Sequence, residues 1–179
     1  MTGYPLLLNL EGRRCLVFGG GKVATRKIQA LLKRGARVTC ISREFSKTLK
    51  KLVGAPLRGR PHRAAPTLRL ERIKGNRVSL NGARLVIAAT SDQDFNARVA
   101  EACRKKKIWV NVVDDPELCD FTVPAVVQRG PLQIAISTDG TSPLFARRLR
   151  EELEKVIPPS TAKLLEKLGK IRKKLLRKS

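Results

Sequence analysis

The sequence predicts an α/β fold: an N-terminal doubly wound parallel sheet, then a small strand-rich region and C-terminal helices. Three observations lead there. Short apolar runs alternate with helically spaced segments from residue 13 to residue 113. Three consecutive glycines, Gly19, Gly20 and Gly21, sit at the first strand-to-helix turn. After Asp114 the alternation stops, leaving two strand-like stretches and two helical ones.

The elements follow in order. Residues 13–18 (RRCLVF) form a short apolar run suited to a buried strand. Residues 22–34 (KVATRKIQALLKR) carry Val23, Ile28, Leu31 and Leu32 at helical spacing. Gly35 is placed to stop that helix, and the β-branched 37–42 (RVTCIS) read as a second strand, completing a β-α-β unit. Residues 44–53 predict a short helix. From Gly54 to Gly82 the chain is basic and loop-rich, with candidate strands at 67–73 and 77–80. A buried strand at 84–89 (RLVIAA), a helix at 93–106 and a strand at 108–113 (IWVNVV) continue the alternation. Beyond it, 120–127 (DFTVPAVV) and 132–138 (LQIAIST) predict strands with no long helix between them, hence an antiparallel element. Helices are predicted at 142–156 and 160–177. The expected division is 1–113, 114–141 and 142–179.

Composition limits the function classes. At 179 residues the chain is long enough for a real core, and with 42% hydrophobic residues and no apolar run of membrane length it reads as a soluble globular protein. The N-terminus has a short apolar stretch with no basic segment before it, so a cytoplasmic location is expected. Cys15, Cys40, Cys103 and Cys119 show no CxxC pairing and are expected to be reduced thiols, with no metal site. Thirty-eight Lys and Arg against fifteen Asp and Glu give a formal charge of +23, which favours polyanionic partners. Nucleic acid is one such partner and a highly carboxylated metabolite is another. One Trp, one Tyr and five Phe provide few stacking platforms for single strands, so nucleic acid is the less favoured of the two.

The glycine turn carries the sharpest chemistry. Gly19 to Ala24 fits G-x-G-x-x-A after a strand and before a helix, the dinucleotide-binding fingerprint of a Rossmann domain. Its glycines let the chain turn tightly and let backbone amides approach a pyrophosphate, while the small Ala24 lets the helix pack close and aim its N-terminus at the anion. Lys22 and Val23 begin that helix and belong to the same candidate cofactor site. At the end of the second strand, where an acid usually holds the adenosine ribose, the chain reads Ser42-Arg43-Glu44. Arg43 is compatible with a 2′-phosphate, so this position does not choose between NAD and NADP. Thr90 and Ser91, at the end of the 84–89 strand, suit a loop approaching the cofactor's ribose and nicotinamide; Ser91 or Asp92 also suits capping of the next helix.

Taken in order, "YPLLLNLEGRRCLVFGGGKVATRKIQALLKRGARVT", "LVIAATSDQDFN" and "NVVDDPELCDFTVPAVVQRGPLQIAISTDGTSPLFARRLREELE" resemble the precorrin-2 dehydrogenase family, the dehydrogenase–ferrochelatase module of siroheme synthase. The likeness runs from about Tyr4 to Pro158. It implies NAD-dependent oxidation of precorrin-2 to sirohydrochlorin, in some members followed by iron insertion. It also implies a Rossmann domain, a central strand-rich dimerisation region, a helical C-terminal part and a homodimer. The family's essential aspartate falls on Asp114, beyond the carboxyl end of the last Rossmann strand, where ligands of open α/β sheets bind. Asp115 competes for notice, since "DDP" also reads as a turn with an aspartate capping backbone amides.

The substrate implied is an octacarboxylate tetrapyrrole. Arg129, Arg147, Arg148 and Arg150 are candidate anchors for its carboxylates, although each also reads as part of a solvated face. The "STDGTSP" turn adds Thr138, Thr141 and Ser142 as candidate substrate contacts, with Ser142 or Thr141 also expected to cap a helix started by Pro143. The lone His62 reads as an exposed loop residue rather than a metal ligand, whereas a dedicated chelatase would offer paired histidines; a dehydrogenase that also inserts iron or cobalt stays open as a further reading. The tail from Ser160 carries eight basic residues against one Glu, with Leu164, Leu165, Leu168, Ile171, Leu175 and Leu176 as an apolar stripe. Dimer packing and attachment to a membrane or RNA surface both fit such a helix. The alternative function is a non-catalytic NAD-sensing module that binds a polyanionic partner.

Overall fold

The computed structural model describes residues 3–54, 67–73, 75 and 78–176. His62 lies outside the described residues. The chain divides into two compact units, one spanning Pro5–Thr122 and the other containing the chain from Val123 onward.

In the first unit β1 (Arg14–Phe18), α1 (Lys22–Leu32), β2 (Arg37–Ser42), α2 (Lys47–Leu52) and β3 (Thr67–Arg72) alternate as expected. They are followed by β4 (Leu85–Ala88), α3 (Gln93–Lys105) and β5 (Trp109–Val112). The five strands make one parallel sheet in the order β3-β2-β1-β4-β5. The chain therefore winds one way from β1 through β2 to β3, and the other way through β4 to β5. The expected doubly wound, Rossmann-type sheet is the one observed.

Alternation along β1 builds the core on both faces. Cys15 and Val17 point to one side, where they pack with Ala24, Ile28 and Leu32 of α1 and with Val38, Cys40 and Leu49. Leu16 and Phe18 point to the other, where they meet Phe95, Val99 and Cys103 of α3 with Val86, Val110 and Val112. A strand covered on both faces needs a continuous apolar run rather than polar alternation, which explains RCLVF and LVIA. Phe18 and Phe95 meet edge to face, with centroids 5.7 Å apart. The helix expected over 22–34 ends at Leu32, and Gly35 turns the chain at φ +78° into β2. Of the strand expected over 77–80, the described residues 78–80 are not in a strand.

In the second unit β6 (Ala125–Arg129) pairs antiparallel with β7 (Leu132–Ile136), followed by α4 (Pro143–Val156) and α5 (Thr161–Leu175). The strand expected over 120–127 starts five residues late, because its first residues are engaged elsewhere. Asp120 bonds Val110 through its amide, at 2.8 Å, and through its carboxylate, at 2.9 Å, while the Phe121 carbonyl accepts from the Asn111 side chain at 3.0 Å. Pro124, lacking an N–H, then stands just before the ladder. On α5, Leu164, Leu168, Ile171 and Leu175 are each at least half exposed. Among the described residues no helix is long and apolar enough to cross a membrane.

Candidate functional site

The carboxyl ends of β1, β2, β4 and β5 open onto a cleft of about 810 Å³. It lies where β1 and β4 are neighbours and the winding reverses, the switch point at which open α/β sheets bind ligands. All three glycines line it, each with a different geometry. Gly19 sits at φ +111°, and a Cβ there would lie 2.3 Å from the Ala89 carbonyl oxygen, so no other residue fits. Its amide donates to Ile41 O at 2.9 Å, and its carbonyl accepts from the buried Cys40 thiol at 3.2 Å. A Cβ on Gly20 would lie 2.0 Å from the Glu44 carbonyl oxygen. Gly21 has nothing within 4 Å of its missing Cβ, so the turn is open to a ligand at that point.

Lys22 and Val23, the first residues of α1, also line the cleft. No side chain among the described residues caps α1 at Gly21, which leaves the first-turn amides directed at the cleft. Ala24 is fully buried and lets α1 sit close to β1. Thr25 ties the turn together: its hydroxyl donates to Gly21 O at 2.8 Å and pairs with the Ser46 hydroxyl at 3.0 Å.

The chain leaving β2 supplies Ser42, Arg43 and Glu44 to the cleft wall. The Ser46 amide donates to Gly20 O at 2.9 Å, and the Ser46 hydroxyl caps α2 by accepting from Leu49 N at 3.1 Å. Beyond β4, Thr90 and Ser91 complete the wall. Asp92 rather than Ser91 caps α3, accepting from Phe95 N at 2.8 Å. Asn96, which no sequence motif singles out, is buried and clamps Thr90. Its Oδ1 accepts from the Thr90 hydroxyl at 2.7 Å and amide at 3.3 Å, and its Nδ2 donates to Thr90 O at 3.0 Å. The only sequence signal for it is a helix-interior Asn on an otherwise apolar face.

Asp114 lines the cleft just after β5, with φ at +64°. Left-handed backbone is uncommon outside glycine, and aspartate is among the residues that tolerate it. The two aspartates divide the turn between them. Asp115 caps the 3₁₀ turn Pro116–Leu118 by accepting from Leu118 N at 3.3 Å, and Asp114 is left exposed at the cleft. Behind them the buried Cys119 sulfur accepts from Val112 N at 3.1 Å and lies 3.2 Å from the carbonyls of Val112 and Asp115, with one thiol proton to share. Lys27 on α1 has its ammonium pKa lowered, chiefly by burial and then by Arg26, against the opposing pull of Cys119 and Asp114.

Arg129, Thr138, Thr141, Ser142 and Arg147 belong to the second unit. The Arg129 guanidinium donates to the carbonyls of Ile157, Glu154 and Gln128 at 2.9, 2.8 and 3.0 Å, which secures the end of α4. Ser142 is the N-cap of α4, accepting from Phe145 N at 3.2 Å, and the Thr138 hydroxyl accepts from Ser142 N at 3.0 Å. Thr141 is exposed on the same turn, its amide bonded to Thr138 O at 2.9 Å. Arg147 pairs with Glu151 at 2.9 Å on an exposed helix face, and Arg150 bridges Glu151 and Glu154. Arg148 is exposed.

A family model described as NAD(P)-binding matches residues 6–125, and one described as sirohaem biosynthesis protein central matches residues 129–155. A solved structure of SirC, a precorrin-2 dehydrogenase, superposes with a TM-score of 0.71 at 30% identity, over 95% of this chain and 79% of that one. This chain belongs to the precorrin-2 dehydrogenase family. Siroheme synthase of Methylobacillus flagellatus is 42% identical over 92% of this chain and 33% of its own length. That of Nitrosomonas europaea is 38% identical over 98% of this chain and 35% of its own. The chain thus spans about a third of the length of these curated relatives.

Proposed function

We propose that this chain oxidises precorrin-2 to sirohydrochlorin with NAD⁺, as a cytoplasmic homodimer serving siroheme biosynthesis. The observation that carries the reading is one cleft lined by both the glycine turn and Asp114. The residues present fit a dinucleotide: Gly21 leaves room at the turn, and the first-turn amides of α1 face the place its pyrophosphate would take. Thr90, held by Asn96, and Ser91 would border the nicotinamide side, while Ser42, Arg43 and Glu44 would border the adenosine. When bound, the nicotinamide supplies the hydride acceptor.

Removing a hydride from a saturated carbon of the tetrapyrrole leaves a cation that must lose a proton. Asp114, which lines the cleft, would take it as the general base. Arg147 and Arg148 on the exposed face of α4 and the hydroxyl of Thr141 are the proposed anchors for substrate carboxylates. Arg129, Thr138 and Ser142 would act there through the shape of the turn, since each already holds backbone groups. A second copy of the chain is the proposed cover for the exposed apolar stripe of α5.

The test is anaerobic incubation of the protein with precorrin-2 and NAD⁺, without metal, followed by absorbance. Appearance of sirohydrochlorin is expected, and Asp114→Ala should slow it at least ~100-fold while still binding NAD⁺. A wild-type protein that binds NAD⁺ but leaves precorrin-2 unchanged would overturn the catalytic reading in favour of a nucleotide sensor. Adding ferrous ion to the product then tests iron insertion.

A further inference from the structure

Once the cleft is read as a dinucleotide site, a reading on which the inference depends, its adenosine end has a chemistry of its own. With the pyrophosphate on the glycine turn, the adenosine ribose lies beyond the carboxyl end of β2. A site that selects NAD⁺ places a carboxylate there, accepting from the 2′-hydroxyl and repelling a 2′-phosphate. Here β2 ends on the hydroxyl of Ser42, and the guanidinium of Arg43 comes next. Both residues line the cleft.

This stretch is held in place on several sides. Gly19 N bonds Ile41 O before it, Ser46 N bonds Gly20 O after it, and the Ser46 and Thr25 hydroxyls pair at 3.0 Å. The close approach of the Glu44 carbonyl to Gly20 fixes its middle. Ser42 and Arg43 therefore keep a set position relative to the phosphate-binding turn.

Among the described residues, the carboxylates that line the cleft are Glu44, Asp92 and Asp114. Asp92 is occupied as the cap of α3, and Asp114 follows β5, separated from β2 by β1 and β4. Glu44 alone of the three lies on the β2 side, two residues past the strand end. Arg43 precedes it and Lys47 opens the next helix.

We propose that the site takes the phosphorylated dinucleotide NADP⁺ as well as NAD⁺, with the Arg43 guanidinium and the Ser42 hydroxyl receiving the 2′-phosphate. A guanidinium offers paired N–H donors that match two phosphate oxygens, and a hydroxyl can supply a third donor.

Calorimetric titration of the full chain with NAD⁺ and with NADP⁺ tests this. The two dissociation constants should agree within about threefold, and Arg43→Ala should weaken NADP⁺ about tenfold more than NAD⁺. Arg43→Glu should widen that difference further, and a thermal melt of each variant checks folding at this exposed position. Binding of NAD⁺ with NADP⁺ weaker by about thirtyfold or more would overturn the proposal and leave the dinucleotide reading intact. So would an equal loss for both ligands in Arg43→Ala. Failure of the wild-type chain to bind either ligand would overturn the dinucleotide reading, and this inference with it.

Discussion

Two adjacent glycines in the turn should answer differently to the same added methyl group. In Gly20→Ala the new Cβ would sit 2.0 Å from Glu44 O, 2.9 Å from Ser42 Oγ and 3.0 Å from Glu44 C. An ordinary contact is at least 3.4 Å, so the carbonyl must retreat by about 1.4 Å, and backbone cannot rotate aside as a side chain can. That retreat pulls on the Ser46 N to Gly20 O bond and on the Thr25–Ser46 pair. Overpacking at roughly 1–3 kcal/mol plus a weakened hydrogen bond at about 1 kcal/mol gives a destabilisation of about 2–4 kcal/mol. In a domain this size, that lowers the melting temperature by roughly 4–16 °C. Gly21→Ala meets no atom within 4 Å and keeps an ordinary φ of −81°, so its stability should stay within about 0.5 kcal/mol of wild type. Its methyl group projects where the pyrophosphate must approach, and NAD⁺ affinity should fall at least tenfold, about 1.4 kcal/mol. Thermal melts with and without NAD⁺, backed by calorimetric titration, read both effects. Wild-type stability in Gly20→Ala, or wild-type affinity in Gly21→Ala, would refute this account of the turn.

Two further perturbations probe the surroundings. Asn96→Ala removes the clamp on Thr90 and leaves buried polar groups without their partner; a loss of about 2–3 kcal/mol in urea unfolding is expected, with a raised KM for NAD⁺, and an unchanged KM would show that Thr90 needs no clamp. Burial pushes the Cys103 thiol up to about 12, so the folded state keeps a proton that the unfolded state loses above about pH 9. Its share of stability is therefore complete below pH 9 and falls as pH rises towards 12, by about 2 kcal/mol at pH 10.5. Wild type should lose that much more than Cys103→Ala between pH 8 and 10.5, and parallel pH profiles would contradict it.

The sequence made the sheet and its cleft legible because the signals there are local. The β1–α1 turn carries its glycines as three consecutive residues, and strands buried on both faces announce themselves as short apolar runs. That Asp114 would lie at the cleft was legible from its place after β5. What stayed hidden depends on groups distant in the chain. Gly20 is required by a carbonyl 24 residues further on, and nothing in the G-x-G-x-x-A pattern asks for a glycine at its second place. Asn96 reads as an ordinary helix residue until Thr90 is seen beside it. The late start of β6 follows from Asp120 and Phe121 serving β5, a tertiary demand that outweighs the β-propensity of "FTV". Arg129 reads as an anion anchor, and its carbonyl partners at the end of α4 become visible only once that helix packs against the hairpin.

The central claim is that this chain moves a hydride from precorrin-2 to a nicotinamide held at the glycine turn. Its most direct test is a single anaerobic turnover with the protein in excess, following sirohydrochlorin and reduced nicotinamide together. The account predicts that the two appear at one rate and in equal amounts, and that both slow together, by about tenfold, in Gly21→Ala when the components are kept below the dissociation constant for NAD⁺. Sirohydrochlorin formed at the same rate without any dinucleotide, or reduced nicotinamide formed without it, would contradict the account.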